Sequence, residues 1–345
     1  DDLIEEVMRV YGYDKLHALP MDAELRAGKL DPLTQLEQQI SHQFAALGYH
    51  QIISYSFVDP QIQALLVSKA ECERFSLINP LSTELSEMRM SLWPGLLTTL
   101  RYNLNRQQMQ VSLFECGRVF EKQDKTITEI PVVGAVLTGS FGDLNWSMQP
   151  ARVLDFYDIK GDIALLLRHL GVELQFVSAE HPALHPGKSA KLIQDRQCVG
   201  WCGVLHPEIA ASLGLETEVM LFEYAFGAKV QHAYKSCCSP SKFPAIRRDI
   251  ACLMEQSIPF SQVEAVIRSA AAEFELLKSV NVFDVYTGKG VPAGKKSIAI
   301  ALGLQSNAKT LTDKDINDVM DKIIGHLKTT LAITLRDGGQ DEHLN

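Results

Sequence analysis

Three carboxylates open the chain at Asp2, Glu5 and Glu6, a spacing of i, i+3 and i+4 that crowds them onto one face of a helix. Like charges so placed repel unless a divalent cation bridges them; without one, they form a solvated acidic first turn favoured by the helix dipole. Far along the chain stand two basic pairs, Arg247-Arg248 and Lys295-Lys296, on or beside strand-like runs. One member of each pair then faces the solvent side of a sheet, suited to neutralising phosphate or to serving as ordinary surface charge. In Val282-Phe-Asp-Val-Tyr, strict alternation puts Phe283 and Val285 on one face and Asp284 and Tyr286 on the other. Tyr286 is therefore the better candidate for stacking on a nucleic-acid base. His185 lies near Ser189 in His-Pro-Gly-Lys-Ser-Ala, but there is no Gly-x-Ser-x-Gly elbow and His-Pro-Gly is a turn sequence, so the expected role is structural. Cys198, Cys202 and His206 recur every fourth residue in a strand-like stretch, which is not a zinc spacing, and read as structural thiols. Two chemistries compete on these residues: a metal-assisted hydrolase on Asp2, Glu5, Glu6 and His185, and an RNA-binding protein built on the basic pairs.

The elements that must position these groups are legible in outline. Asp2 to Val10 has helical spacing, with Leu3, Val7 and Val10 on one stripe. Met21 to Leu30 reads as a polar linker. Asp31-Pro32 then supplies a helix start, with Leu36, Ile40, Phe44 and Leu47 inward and Gly48 as the stop. Strands are expected at 51–58, 111–120, 131–138, 197–205 and 219–225, and helices after Pro94, over 158–170 and over 207–213. Consecutive strands without intervening helices favour α+β with a largely antiparallel sheet. No glycine-rich phosphate loop of the Walker or dinucleotide type occurs. Cys237-Cys-Ser-Pro-Ser-Lys marks a boundary. Beyond it the pattern strand, helix, strand, a turn with Gly288, Gly290 and Gly294, strand, helix, strand gives a ferredoxin-like βαββαβ domain with one sheet face covered by two helices and the other open.

Length and composition set the outer limits. A chain of 345 residues, 46% hydrophobic and 22% charged, has room for two globular domains and is neither disordered nor fibrous. No run of about 18 apolar residues exists, which argues against a membrane span, and the N-terminus lacks the layout of a secretory signal. Seven irregularly spaced cysteines fit reduced thiols, so the expected compartment is cytoplasmic. The net charge of −9 is uneven: residues 239–336 hold 13 Lys+Arg against 10 Asp+Glu, and the rest 20 against 32. Only the C-terminal part can approach nucleic acid without general repulsion.

Ordered signatures carry a resemblance. Ser241-Lys-Phe-Pro-Ala-Ile-Arg-Arg-Asp-Ile, Val282-Phe-Asp-Val-Tyr-Thr-Gly, Gly294-Lys-Lys-Ser-Ile-Ala, Thr310-Leu-Thr-Asp and Leu335-Arg336 resemble the ferredoxin-fold anticodon-binding domain of the bacterial phenylalanyl-tRNA synthetase β subunit family. Asn79-Pro-Leu-Ser-Thr-Glu, Met88-Arg-Met-Ser-Leu-Trp-Pro-Gly, Asn103-Leu-Asn-Arg, Phe114-Glu-Cys-Gly-Arg-Val-Phe, Asp155-Phe-Tyr-Asp-Ile-Lys-Gly and His185-Pro-Gly-Lys-Ser-Ala resemble its catalytic-like module, and Asp2-Leu-Ile-Glu-Glu-Val with Tyr11-Gly-Tyr resembles the end of its B5 domain. The resemblance implies four segments: 1–20 as the end of B5, 28–230 as a class II synthetase-like module, 239–336 as the anticodon-binding domain, and a tail at 337–345. It also implies a C-terminal fragment without the editing region.

Class II enzymes hold ATP with arginines in Phe-Arg-x-Glu and in a glycine-rich motif ending Glu-Arg, where charge develops in the transition state. The nearest echo, Phe114-Glu115-Cys116-Gly117-Arg118, puts glutamate in the arginine's place, so the module is expected to be catalytically empty. By resemblance it scaffolds an ATP-using catalytic α subunit in an (αβ)2 heterotetramer, while Arg247, Arg248, Lys295, Lys296 and Tyr286 are candidates for holding tRNA(Phe). The resemblance further implies Mg2+ on Asp2, Glu5 and Glu6, completed by an upstream aspartate.

Overall fold

The computed structural model describes residues 1–20, 28–67, 74–123, 126–141, 152–226 and 239–336. It divides into two units, Asp1–Tyr234 and Lys235–Asn345. The expected linker core at 21–27, the boundary cysteines at 237–238 and the tail at 337–345 lie outside the described residues.

The first helix, α1 (Asp2–Tyr11), buries none of its residues. In α2 (Pro32–Ala46) the start is the one its sequence dictates: the Asp31 carboxylate accepts the Leu33 and Thr34 amides, each at 3.1 Å, and Pro32 opens the first turn. Leu36, Ile40 and Phe44 then fall on the buried face at helical spacing.

The run expected as one strand over 51–58 is broken in two. Strand β1 (His50–Gln51) is followed by coil and then β2 (Phe57–Val58). The break has a physical cause: the Ser54 amide and hydroxyl bond to the Glu115 side chain, at 3.3 and 2.6 Å, instead of joining a ladder. Next come α3 (Pro60–Leu66), β3 (Glu87–Met88), α4 (Trp93–Leu104), β4 (Val111–Gln123), β5 (Thr126–Thr138) and α5 (Phe156–Leu170). The unit's remaining elements are β6 (Gln175–Ser178), β7 (Leu184–Gln194), β8 (Gln197–Leu205), α6 (Pro207–Ser212) and β9 (Met220–Ala225). His185-Pro-Gly, expected as a turn, lies inside β7. It keeps turn-like local bonding, since His185 Nδ1 accepts the Gly187 amide at 3.0 Å, and the β7–β8 register is irregular between Leu184 and Ser189.

Seven of these strands form one sheet in the order β1-β4-β5-β9-β8-β7-β6, parallel at β1–β4 and antiparallel elsewhere. Each face is packed. Residues of α2 and α5, including Ile40, Phe44, Ile163 and Leu166, join Phe222 and Tyr224 in one core; α4 and its N-cap Leu92 supply the other, with Trp93, Leu96 and Leu100 packed on Leu113 and Leu221. The expectation of an α+β, mainly antiparallel arrangement is what the fold shows.

The second unit is β10 (Ile246–Glu255), α7 (Phe260–Ala271), β11 (Leu277–Tyr286), β12 (Lys295–Leu304), α8 (Asp313–Leu331) and β13 (Thr334–Leu335). This is the βαββαβ order, with its sheet arranged β11-β12-β10-β13. Ile250, Cys252 and Met254 of β10 and Ile298, Ile300, Leu302 and Leu304 of β12 point to the helices, where Val263, Ile267, Val319 and Ile323 meet them in one core. A capping box starts α8: the Thr312 hydroxyl and the Asp315 carboxylate reciprocally bond the N-cap and N3 amides.

Candidate functional site

In the first unit, side chains Glu115 and Glu223 stand in one cross-strand row, each directly opposite Gly134 of β5. The missing side chain at Gly134 leaves room for Leu92 and Leu96, so the start of α4 settles between the two carboxylates. Arg89 Nη1 meets Glu115 Oε1 at 2.6 Å, with the two side chains only 6% and 3% accessible. The guanidinium also donates from Nε to the Arg118 carbonyl at 2.8 Å and from Nη1 to the Ser54 hydroxyl at 3.2 Å. Gly117 and Gly95 are part of the same fit: a Cβ at Gly117 would collide with the Arg89 guanidinium, and one at Gly95 with the Ser54 hydroxyl. Glu223 Oε2 accepts the Ser91 hydroxyl at 2.8 Å and the Leu92 amide at 2.6 Å, capping α4 from a strand far away in sequence. Burial pushes the Glu223 carboxyl up to about 7, against those two hydrogen bonds and the pull of Arg89. Gln63 separately holds the segment on either side of Arg89, donating to Glu87 at 2.9 Å and accepting the Met90 amide at 2.8 Å.

Chemically, this arrangement is closed. A guanidinium that is to bind phosphate must present its donors, and here the Nε and Nη1 donors of Arg89 are taken up by the Arg118 carbonyl, Glu115 and the Ser54 hydroxyl. A separate cleft of about 350 Å³, lined by Tyr49, His50, Asp158 and Asp162 among others, opens beside α5. Its carboxylates are already engaged: Tyr49 donates to Asp162 at 2.7 Å, and Arg152 holds Asp158 from two nitrogens at 2.6 and 2.8 Å.

In the second unit the sheet face away from α7 and α8 carries Arg247, Asp249, Ala251, Leu253 and Glu255 on β10, paired in register with Gly303, Ala301, Ala299, Ser297 and Lys295 on β12. A bulge in β11 between Val282 and Asp284 shifts its register, so strict alternation fails there. Phe283 is 54% exposed and the Arg247 guanidinium stands over its ring, 5.2 Å from the centroid. Phe283 thus shares the open face with Tyr286, contrary to the expectation that put it on the opposite side. Tyr286 is less free than its position in the pattern implies: its hydroxyl donates to the Lys289 carbonyl at 3.2 Å, and its ring lies against Gly288.

These folds and residues match known proteins. The family model described as "Phenylalanyl tRNA synthetase beta chain CLM domain" covers residues 17–226, and "Ferredoxin-fold anticodon binding domain" covers residues 241–336. The chain belongs to the phenylalanyl-tRNA synthetase β chain family. Among its relatives, the phenylalanine–tRNA ligase β subunit of Legionella pneumophila (strain Lens) is 42% identical over 337 residues, and that of Coxiella burnetii (strain RSA 493 / Nine Mile phase I) 37% identical over 338. Each alignment takes in 97% of this chain and 42% of the relative, so the chain spans about two fifths of the length of these curated relatives. A solved pyrrolysyl-tRNA synthetase, Desulfitobacterium hafniense PylSc, superposes with a TM-score of 0.43 at 12% identity, over 56% of this chain and 66% of that one.

Within this chain the expected site residues separate. Arg247, Lys295 and Tyr286 share the open face, with Arg247 at one end of the β10–β12 ladder and Lys295 and Tyr286 toward the other, whereas Arg248 and Lys296 turn to the helix side of the sheet. Arg248 approaches Asp313 at the start of α8 at 3.9 Å; Lys296 donates to the Ile258 carbonyl at 2.7 Å, where burial lowers its pKa. Both open-face cations have acidic neighbours: Asp249 holds Arg247 at 2.7 and 3.1 Å, and Glu255 lies 3.6 Å from Lys295. Arg336 was not among the expected residues. Leu335 packs on the core, so the next side chain turns to the open face, where its guanidinium reaches the Gly290 turn.

The carboxylate trio does not assemble. All three residues are exposed along α1, and Arg9 takes Glu6 from two nitrogens at 2.6 and 3.0 Å. Among the described residues no three His, Cys, Asp or Glu side chains converge as a metal site, and no hydrolase constellation with His185 exists. Cys198, Cys202 and His206 also diverge: Cys198 is exposed, burial pushes Cys202 up to about 12, and His206 caps α6 by accepting the Glu208 amide at 3.2 Å.

Proposed function

We propose that the chain acts as part of the β subunit of phenylalanine–tRNA ligase, holding tRNA(Phe) on the open sheet face of its second unit while the first unit supports the catalytic α subunit in an (αβ)2 heterotetramer. The observation that carries the RNA half is the helix-free face bearing Arg247, Lys295, Arg336, Phe283 and Tyr286, where aromatic planes and cations lie together as single-stranded RNA requires. The Arg89–Glu115 pair supports the scaffold half, because it uses internally the kind of arginine that would otherwise meet ATP. ATP is then used by the α subunit, and charging takes place in the cytoplasm; among the described residues no helix is long and apolar enough to cross a membrane. Arg248 and Lys296, on the helix side, contribute to RNA binding only through the rim of the sheet. Mg2+ on Asp2, Glu5 and Glu6 of the intact subunit requires Glu6 to exchange Arg9 for the ion.

The reading is tested by filter binding of tRNA(Phe) to this chain across salt concentrations. Binding is expected to weaken with salt, and replacing Lys295 and Arg336 together with glutamate is expected to weaken it further and to flatten the salt dependence by about two charge contacts. No tRNA binding at low salt by the folded chain overturns the RNA half of the reading.

A further inference from the structure

We infer that Arg247 serves this face as a fixed stacking plane, backed by Phe283 and locked by Asp249, and not as a phosphate-neutralising charge. The inference rests on the RNA-binding reading above and specifies how one part of the face makes contact.

Three observations place the guanidinium. The β11 bulge sets Val282 opposite Ile300 and Asp284 opposite Ala299, leaving Phe283 as the inserted residue. Alternation from the core-facing Val282 puts this ring on the open face, unpaired on β12, and still 54% exposed it lies beneath the Arg247 guanidinium at 5.2 Å. Asp249, two residues along the same strand and on the same face, then accepts from Nε at 2.7 Å and from Nη2 at 3.1 Å. A guanidinium is planar, so a ring beneath it and a carboxylate along one edge fix both its tilt and its rotation. One broad surface of the plane faces away from the ring. Neighbouring positions on the floor are small, with Gly303 directly opposite Arg247 and Ala301 opposite Asp249.

The charge accounting points the same way. Arg247 is paired to Asp249 and exposed, so a phosphate would have to displace or share that carboxylate; a base needs neither, because it stacks on the plane and leaves the ion pair intact. Phe283 is on this account a positioning residue, acting through Arg247.

The test compares Arg247→Lys, Arg247→Ala, Phe283→Ala and Phe283→Tyr in the full chain, by tRNA(Phe) affinity over a range of salt. If Arg247 is a stacking plane, Lys fails as Ala does: both lose roughly tenfold in affinity, about the contribution of one stacked base, with the salt slope unchanged. Phe283→Ala loses a similar factor, Phe283→Tyr restores it, and NMR of the free protein shows the Arg247 side-chain Nε–H shifted by the Phe283 ring only when a ring is present. If Arg247 is a phosphate contact, Arg247→Lys binds nearly as well as wild type and Arg247→Ala lowers the salt slope by about one, which overturns the inference. Wild-type chain that binds no tRNA fails the underlying reading instead, and the NMR arm still reports whether Phe283 holds the guanidinium.

Discussion

Replacing Glu115 with alanine is expected to cost the first unit about 3–5 kcal/mol, because it strips the only ion-paired carboxylate among the described residues from a buried guanidinium. Arg89 and Glu115 are almost fully enclosed, and Glu115 also accepts from the Ser54 amide and hydroxyl. The loss is therefore of a network, and the arginine left behind carries most of the penalty. Removing both charges together, as Arg89→Met with Glu115→Leu, is expected to recover most of the stability, since a buried pair is close to neutral against apolar residues of similar size. All three tryptophans lie in the first unit, so their fluorescence during urea unfolding reports this unit apart from the second. An unfolding midpoint unchanged in Glu115→Ala would contradict the assignment of the pair as the centre of the closed site.

The second large effect is one of pH. Glu223 has its pKa raised from 4.5 to about 7 by burial, so the folded unit holds that proton more tightly than the unfolded chain. Its stabilising contribution is then fully present below pH 4.5 and is lost as pH rises through 7. Glu223→Gln keeps an oxygen for the Ser91 hydroxyl and the Leu92 amide but carries no charge. Between pH 5 and pH 8 the wild-type unit is expected to lose on the order of 2 kcal/mol more than the Gln variant; the full linkage value of roughly 3 kcal/mol is discounted because the side chain is not wholly sealed. Urea midpoints followed by tryptophan fluorescence at the two pH values decide it, and equal pH dependence in both proteins would show that Glu223 is ionised in the fold at neutral pH.

How much of this was legible beforehand depended on the range over which each signal acts. Local chemistry read true: Asp31-Pro32 starts α2, and the second unit follows the expected order of strands and helices. Signals that require register did not. Alternation separates Phe283 from Tyr286, but a single inserted residue in β11 resets the strand beyond it and leaves both on the open face, and nothing in Val282-Phe-Asp-Val-Tyr marks the bulge. The glutamate in Phe114-Glu-Cys-Gly-Arg was visible as a departure from an arginine motif, whereas its partner Arg89 lies in another segment and becomes its partner only once the chain between has folded. Glu223 is further still, brought to the start of α4 by two strand pairings. The trio Asp2, Glu5 and Glu6 was a correct reading of helical spacing, yet the same spacing brings Arg9 within reach of Glu6, and that local pair forms.

The first unit is expected to perform no adenylation, and RNA contact to belong to the second. The most direct measurement is phenylalanine-dependent exchange of pyrophosphate into ATP by this chain alone, with Mg2+ supplied. No exchange above background is expected, because Arg89 is committed to Glu115 and the start of α4 fills the space between the two carboxylates. Exchange by the chain alone, lost in an Arg89→Met variant shown to be folded, would contradict that expectation.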